Sequence, residues 1–334
     1  MFAWMPGGLT DEFPGIVASV PGVDATSVIT TATMHLAASH EADGALVDQP
    51  PPRFVIPMHG AIVDAAALEP IFGLPEVGPD ELILGEGSAA LRRLGVGDTI
   101  TFEKGNTLTI AAIVPEHLMA GYEAIAVTKE HFVEERMESR AVLALYHGTA
   151  FELNSEIASQ VEEDLVYDVR TRDTSADQGG LVVRSQVFIK ENFGEFAYRP
   201  TGSGRFQIDP DWVSENIVDV RIPLLGQTKC HKKMAAILTD IMQDLEDNGL
   251  SNVIDRSAFA GCWNARYIAG SDRMSRHSFG AAADINIFNR ADGGPGSPTN
   301  PELLKRIYAA GLTSGHVWRN SDPGHFEFFA VVEG

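Results

Sequence analysis

Hydrophobic positions in the first half of the chain come in short runs rather than at helical spacing. RFVIPMHGAIV, ELILGEG, DTITFEKGNTLTIAAIV and YEAIAV carry β-branched or apolar residues bounded by Gly, Asp or Asn, which predicts strands. Lys104, Gly105 and Asn106 predict a hairpin turn within the third run. SAALRRLGVGD predicts a short helix capped by Ser88 and ended by Gly95. SEIASQVEEDL predicts another, capped by Ser155, with Val161 and Leu165 on its apolar side. This half therefore reads as a mixed, β-rich domain.

Further along, the period changes. In CHKKMAAILTDIMQDLEDNGL, Met234, Ile237, Leu238, Ile241, Met242 and Leu245 recur three and four apart, and Gly249 stops the pattern. NPELLKRIYAAG predicts a helix with Asn300 as cap, Pro301 in the first position and Gly311 past the end. In AAADINI, Ala283, Ile285 and Ile287 alternate with Ala282, Asp284 and Asn286, so a strand here buries the isoleucines and turns Asp284 to the opposite face. HFEFF likewise puts His325, Glu327 and Phe329 on one face and Phe326 with Phe328 on the other. The runs DTSADQGG (173–180) and RPTGSGR (199–205) read as flexible turns. The expected organisation is α+β in two domains: a β-rich accessory domain over 1–175, a linker over 176–210, and a domain over 211–334 with an antiparallel sheet and flanking helices.

Composition narrows the class. A chain of 334 residues suits two cores, and 44% apolar with 21% charged residues reads as globular. The 46 acidic against 25 basic residues exclude a nucleic-acid partner, which needs clustered Lys and Arg. The net charge of -21 favours solubility, so an anionic polymer must be gripped locally. No run reaches the roughly 18 apolar residues of a membrane helix, and MFAWMPGGLTDEF lacks a basic start followed by an apolar stretch. If the protein works outside the membrane, its signal or anchor is expected to lie outside this chain.

The candidate chemistry sits in SRHSFGAAADINIFN, with His277 and Asp284, and in SDPGHFEFF, with Asp322 and His325. A hydrolytic zinc site takes three protein ligands and keeps one position for water, so His277, Asp284 and His325 form a sufficient set. Asp322 precedes His325 by three residues across a Pro-Gly turn and suits a general base beside the metal. Glu327, on the face of His325, competes for that role but better suits orienting a ligand.

The stretch GCWNARYIAGSDRMSRHSFGAAADIN, followed by a helix and VWRNSDPGHFE, resembles the VanY-like D-alanyl-D-alanine carboxypeptidases and the related L-alanyl-D-glutamate endopeptidases of phage lysins. Ser275, His277, Gly280, Ala282 and Asp284 fill the first motif of that family, and Asp322 with His325 fills the second; the likeness covers about 120 residues. It implies the hedgehog/D,D-peptidase-like zinc fold, Zn2+ on His277, Asp284 and His325, and Asp322 as base. It also implies that Arg266 contacts the substrate carbonyl or developing oxyanion, with Arg273 as an alternative. Ser275, Trp318 and His316 are then candidate substrate contacts, and the substrate is a peptidoglycan stem peptide in an extracytoplasmic compartment. Many relatives carry Gly-Gly-x-Trp before the acidic motif, whereas this chain reads Ser314, Gly315, His316, Val317, Trp318, and the added imidazole bears on substrate preference. His231 beside Cys230 is a further possible ligand. Cys230 and Cys262, the two cysteines of the chain, are candidates for a disulfide whose loop closure is worth about 3 to 4 kcal/mol; two buried free thiols are the alternative.

ELILGEGSAALRRLGVGDTITFEKGNTLTIAAIV resembles the extracytoplasmic domain of ABC-transporter permeases of the macrolide-export and lipoprotein-release type. That likeness implies a binding or docking module, with an envelope protein as possible partner. His35, His40, His59, His117, His131 and His147 are scattered and read as structural. The leading expectation is a zinc peptidase acting on the cell wall; the rival is a non-catalytic wall-binding protein that keeps the fold, against which the intact Asp322 weighs.

Overall fold

Short strands with one apolar face cannot persist alone, and here they pair into one large sheet. The computed structural model describes residues 1–5, 7–132, 137–170, 184–269, 271, 273–288, 293–318 and 321–330. The chain divides into two compact units, Met1–Phe188 and Ile189–Gly334. Both mix helix and strand, and the first is β-rich. Among the described residues no helix is long and apolar enough to cross a membrane.

The first unit holds strands β1 (Phe2–Trp4), β2 (Val23–His40), β3 (Leu46–Asp48), β4 (Ile56–Ile62), β5 (Glu81–Gly85), β6 (Thr99–Phe102), β7 (Thr107–Val114), β8 (Ala124–Ala126), β9 (Met137–Tyr146) and β10 (Asp168–Arg170), with helices α1 (Phe13–Ser19), α2 (Glu86–Arg92) and α3 (Ala150–Ala158). The 18-residue β2 is its spine. One edge of β2 pairs with β9 and then β6, the other with β4 and then β3. Because β6 returns to β2 after the order β4-β8-β5-β7-β6, these strands close into a ring. Leu68, Phe72, Ile83 and Ile125 fill one core, and Phe13, Val17, Leu153 and Ile157 fill a second under α1 and α3.

The hairpin at Lys104–Asn106 forms as expected, with Gly105 at φ +84°. Both helix caps are corrected. α2 starts at Glu86 behind Gly85, and Ser88 lies buried inside it against the Arg92 guanidinium. α3 starts behind Thr149, whose hydroxyl accepts from Glu152 N–H while the Glu152 carboxylate accepts from Thr149 N–H. This reciprocal box outcompetes Ser155, whose hydroxyl donates to the Phe151 carbonyl within the helix. Val161 and Leu165 therefore fall beyond the helix end.

The expected linker is also corrected. DTSADQGG lies outside the described residues. Helix α4 (Gln186–Phe193) and the hairpin β11 (Tyr198–Gly202) with β12 (Arg205–Ile208) occupy most of the rest of 176–210. RPTGSGR is the tight turn of that hairpin, with Gly202, Ser203 and Gly204 all at positive φ. The stretch is structured because Phe193, Phe196, Tyr198 and Phe206 are all buried. The second unit continues with α5 (Pro210–Asn216), the hairpin β13 (Ile217–Ile222) and β14 (Gly226–His231), α6 (Lys232–Asp247), β15 (Ala282–Asp284), α7 (Pro301–Ala309), β16 (Leu312–Gly315) and β17 (Asp322–Phe328). The last three strands form an antiparallel sheet in the order β15-β17-β16. α6 buries Met234, Leu238, Ile241, Met242 and Leu245, and α7 carries Asn300 as cap with Pro301 following.

The strand expected through AAADINI stops at Asp284. Asn286 takes φ +57° and is fully buried, so it ends the alternation. Its side chain accepts from Asp255 N–H at 2.8 Å and donates to the Val253 and Ser297 carbonyls at 2.9 and 3.1 Å. Replacing it leaves the Asp255 N–H and the Val253 carbonyl without this partner, while the Ser297 carbonyl keeps Asn300 N–H at 3.2 Å. Asn286→Ala is expected to cost about 3 kcal/mol in urea unfolding, and Asn286→Asp, which buries a carboxylate oxygen against two carbonyls, at least as much.

Candidate metal centre

Strand β17 brings the site together. Asp284 on β15 is the direct cross-strand partner of His325 on β17, so the two side chains share a face. On its other edge Asp284 is held by Gly261 and Ala260: its N–H donates to the Gly261 carbonyl at 3.0 Å, and its carbonyl accepts from Ala260 N–H at 2.9 Å. His277 arrives on a 3-10 turn, Arg276–Phe279. The Ser275 hydroxyl caps this turn by accepting from His277 N–H. Gly280 ends it at φ +62°, where a Cβ would sit 2.5 Å from the His231 backbone nitrogen, so only glycine fits. Phe279 locks the turn from beneath, its ring 4.6 Å from that of Phe196.

Three donor atoms converge. His277 Nε2 lies 3.1 Å from Asp284 Oδ1 and 3.2 Å from His325 Nδ1, and His325 Nδ1 lies 3.1 Å from Asp284 Oδ1. The second nitrogen of each ring assigns its tautomer. His277 Nδ1 donates to the Cys262 carbonyl at 2.7 Å, which leaves Nε2 bare. His325 Nε2 donates to Glu327 at 3.2 Å, which directs its Nδ1 at the other two donors. Two imidazole lone pairs and a carboxylate at this spacing repel one another unless a cation lies among them. Zinc with bonds of about 2.0 to 2.1 Å and tetrahedral angles sets its ligands about 3.3 Å apart, close to what is observed. The two-nitrogen, one-oxygen set also suits zinc over magnesium or calcium, so these residues fit the ion.

Protonation follows the same geometry. Burial works against the charged form of each group, and the partners outweigh it. Burial raises the pKa of Asp284, but its contacts with the imidazoles of His277 and His325 hold it well below the usual carboxylate range. Burial lowers the pKa of His325, but Asp284 and Glu327 raise it to about 9. Burial raises the pKa of Glu327, yet His325 and the nearby Arg276 lower it below its ordinary value. Without a metal, a proton on His325 is the compensating cation.

The other expected site residues distribute unevenly. Trp318 packs beside the triad, its ring 5.2 Å from that of His325, and Gly315 leaves room for it. Asp322 is exposed at the head of β17, paired with Gly315 across a break in register. Arg266 is half-buried; its guanidinium donates to the Tyr267 carbonyl at 3.4 Å, and among the described residues no carboxylate pairs with it. His316 Nδ1 lies 3.0 Å from the Ser314 hydroxyl, and burial lowers its pKa. Ser275 is corrected from a substrate contact to the buried cap of the His277 turn. His231 is corrected from a possible ligand. Its Nδ1 accepts from Lys233 N–H at the start of α6, and burial, with Lys232 and Lys233 nearby, lowers its pKa to about 4. Cys230 and Cys262 form a buried disulfide. The Cys262 carbonyl was not identifiable from the sequence as a partner of His277, because a backbone acceptor leaves no residue signature.

In the first unit, His35 pairs with Glu103 at 2.8 Å and His147 with Asp24 at 2.6 Å. Among the described residues no cluster of three or more His, Cys, Asp or Glu donors forms there.

No protein-family model matches the chain, and no curated protein matches it. Solved structures similar to it include the periplasmic region of MacB from Actinobacillus actinomycetemcomitans, at 8% identity and a TM-score of 0.36, covering 53% of this chain and 93% of that one. The extracellular domain of the ABC-type transporter YknZ from Gram-positive bacteria is 12% identical with a TM-score of 0.32, covering 51% and 98%. A domain of a putative permease protein from Porphyromonas gingivalis is 14% identical with a TM-score of 0.29, covering 50% and 83%.

Two measurements test the centre. Metal analysis and calorimetry are expected to give one zinc per chain, lost in His277→Ala and weakened at least tenfold in Glu327→Gln. Zinc affinity is expected to rise with pH up to about 9, with a proton released on binding, because His325 must surrender its proton. The metal-free protein has the opposite trend. Its His325 stabilisation is complete below pH 6.5 and is lost as pH rises through about 9, which thermal melts with a chelator present will read.

Proposed function

We propose that the second unit is an extracytoplasmic zinc peptidase that hydrolyses peptidoglycan stem peptides, as a D-Ala-D-Ala carboxypeptidase or an endopeptidase. The observation that carries this reading is the triangle of His277 Nε2, Asp284 Oδ1 and His325 Nδ1, with all three edges at 3.1 to 3.2 Å. Asp322, Arg266 and Trp318 are the further parts that the VanY-like pattern assigns to such a hydrolase. The buried disulfide favours an oxidising compartment.

His277, Asp284 and His325 would hold the ion, and zinc bound there would supply Lewis acidity to polarise a carbonyl and acidify water. The Cys262 carbonyl and the Glu327 carboxylate keep both imidazoles in the ligating tautomer. Asp322 takes the proton of the attacking water and passes it to the leaving amine. Arg266, free of any carboxylate among the described residues, offers its guanidinium to the charge developing on the carbonyl oxygen. Trp318 gives the His325 side of the site an apolar wall that limits water. The first unit acts as a binding or docking module that presents the peptidase to an envelope partner, in keeping with the permease-like run at 81–114.

Purified muropeptides digested with the zinc-loaded protein and analysed by mass spectrometry test the proposal. Release of D-Ala or of stem-peptide fragments is expected, and Asp322→Ala is expected to reduce it by about 10²- to 10⁴-fold with zinc content unchanged. Full zinc loading with no release by the wild-type chain would instead identify a wall-binding protein.

A further inference from the structure

The segment Ala260–Asn264 touches two of the three ligand-bearing elements. Ala260 and Gly261 pin the backbone of Asp284 on both sides, with bonds of 2.9 and 3.0 Å. The Cys262 carbonyl receives the His277 Nδ1 proton at 2.7 Å. Asn264 N–H donates to the His277 carbonyl at 3.0 Å, and the Trp263 indole donates to the Ser278 carbonyl at 3.0 Å. The segment has no place in a regular sheet of its own, as only an isolated bridge joins Gly261 to Asp284. What ties it to the rest of the unit is Cys262, bonded to Cys230 on β14 with Cα atoms 5.2 Å apart, together with one backbone bond from Trp263 N–H to the Lys229 carbonyl. The two sulfurs also lie 3.9 and 3.4 Å from the carbonyl oxygen of Gly280, the residue that closes the His277 turn.

From this arrangement we propose that the Cys230–Cys262 disulfide is a positioning element of the metal centre: closing it tightens zinc binding, and zinc in turn stabilises the oxidised pair. This rests on the zinc reading of the triad. With the bridge open, the Cys262 carbonyl is free to drift from His277 Nδ1, the ring loses the bond that fixes its tautomer, and Gly261 no longer holds Asp284 against His325. Losing a bond that orients a ligand typically weakens metal affinity by about 10- to 100-fold. Linkage requires the converse, because a coupling free energy between two equilibria acts equally in both directions. Closure removes two electrons and two protons from the thiols, and glutathione disulfide is reduced to two glutathiones. Zinc should therefore make the reduction potential of the pair more negative by about 30 to 60 mV, the same factor expressed for a two-electron couple.

The test compares zinc affinity, by competition with a chromophoric chelator, for the intact chain, the Cys230→Ser/Cys262→Ser double variant and Asn300→Ala. The last variant loosens the start of α7 without touching Ala260–Asn264, so it controls for general loss of stability. Affinity lowered at least tenfold in the folded double variant, and unchanged in Asn300→Ala, supports the coupling. Equal affinity in the intact chain and the double variant overturns it and leaves the zinc site standing. If the intact chain binds no zinc, the zinc reading fails and takes this inference with it. Should the double variant not fold, the potential of the native pair, measured in glutathione buffers with and without saturating zinc, decides. A shift to more negative values supports the coupling, and no shift or a positive one overturns it.

Discussion

Two imidazoles and a carboxylate meet within 3.2 Å of one another in a largely buried site, and the second unit is organised around what that convergence requires. Donor atoms so close cannot coexist in a low-dielectric interior without a positive charge among them. Every nearby device serves that requirement. The cross-strand pairing of Asp284 with His325 sets the first edge, the capped turn at Ser275 delivers His277, and Gly280 lets the chain leave that turn where any larger residue would strike His231. Glu327 and the Cys262 carbonyl then decide which nitrogen of each ring faces inward.

Residues whose type carries chemistry were readable before the coordinates. His277, Asp284 and His325 stand out by their donor types together with the likeness of their surroundings to the VanY-like motifs, and they do come together. Helical spacing located α6, and the Asn-Pro start located α7, since both signals are local. Local competition explains the misplaced caps. Ser155 is a good capping residue, but Thr149 with Glu152 satisfies two orphan N–H groups where Ser155 would satisfy one. RPTGSGR reads as a linker in isolation and is a hairpin turn because the aromatic residues on either side bury themselves together. Ser275 was assigned outward to substrate, yet it serves the backbone, as short hydroxyl residues at helix starts generally do.

What stayed hidden depends on partners distant in sequence. Nothing local marks Asn286 as a buried strut, because its three bonds reach Val253, Asp255 and Ser297. The Cys262 carbonyl belongs to the same class. The spine of the first unit was missed for a related reason: VDATSVITTATMHLAASH changes which face is buried along its length, so no single alternation runs through it. That irregularity reflects its neighbours. Val23–Ile29 pair with β9, Thr30–Ala32 lie between β9 and β4, and Leu36–His40 pair with β6, so different side chains are covered along the strand.

That shared spine bears on how the protein is made. Residues 23–40 leave the ribosome well before 137–146, the strand that lines one of their edges, and Met1 to Trp4 also wait for it. More than a hundred residues must be synthesised while Val23–Ala32 have no partner along that edge. Pairings so far apart in sequence close slowly. Until 137–146 is available, that edge is open to mispairing with another copy of the chain.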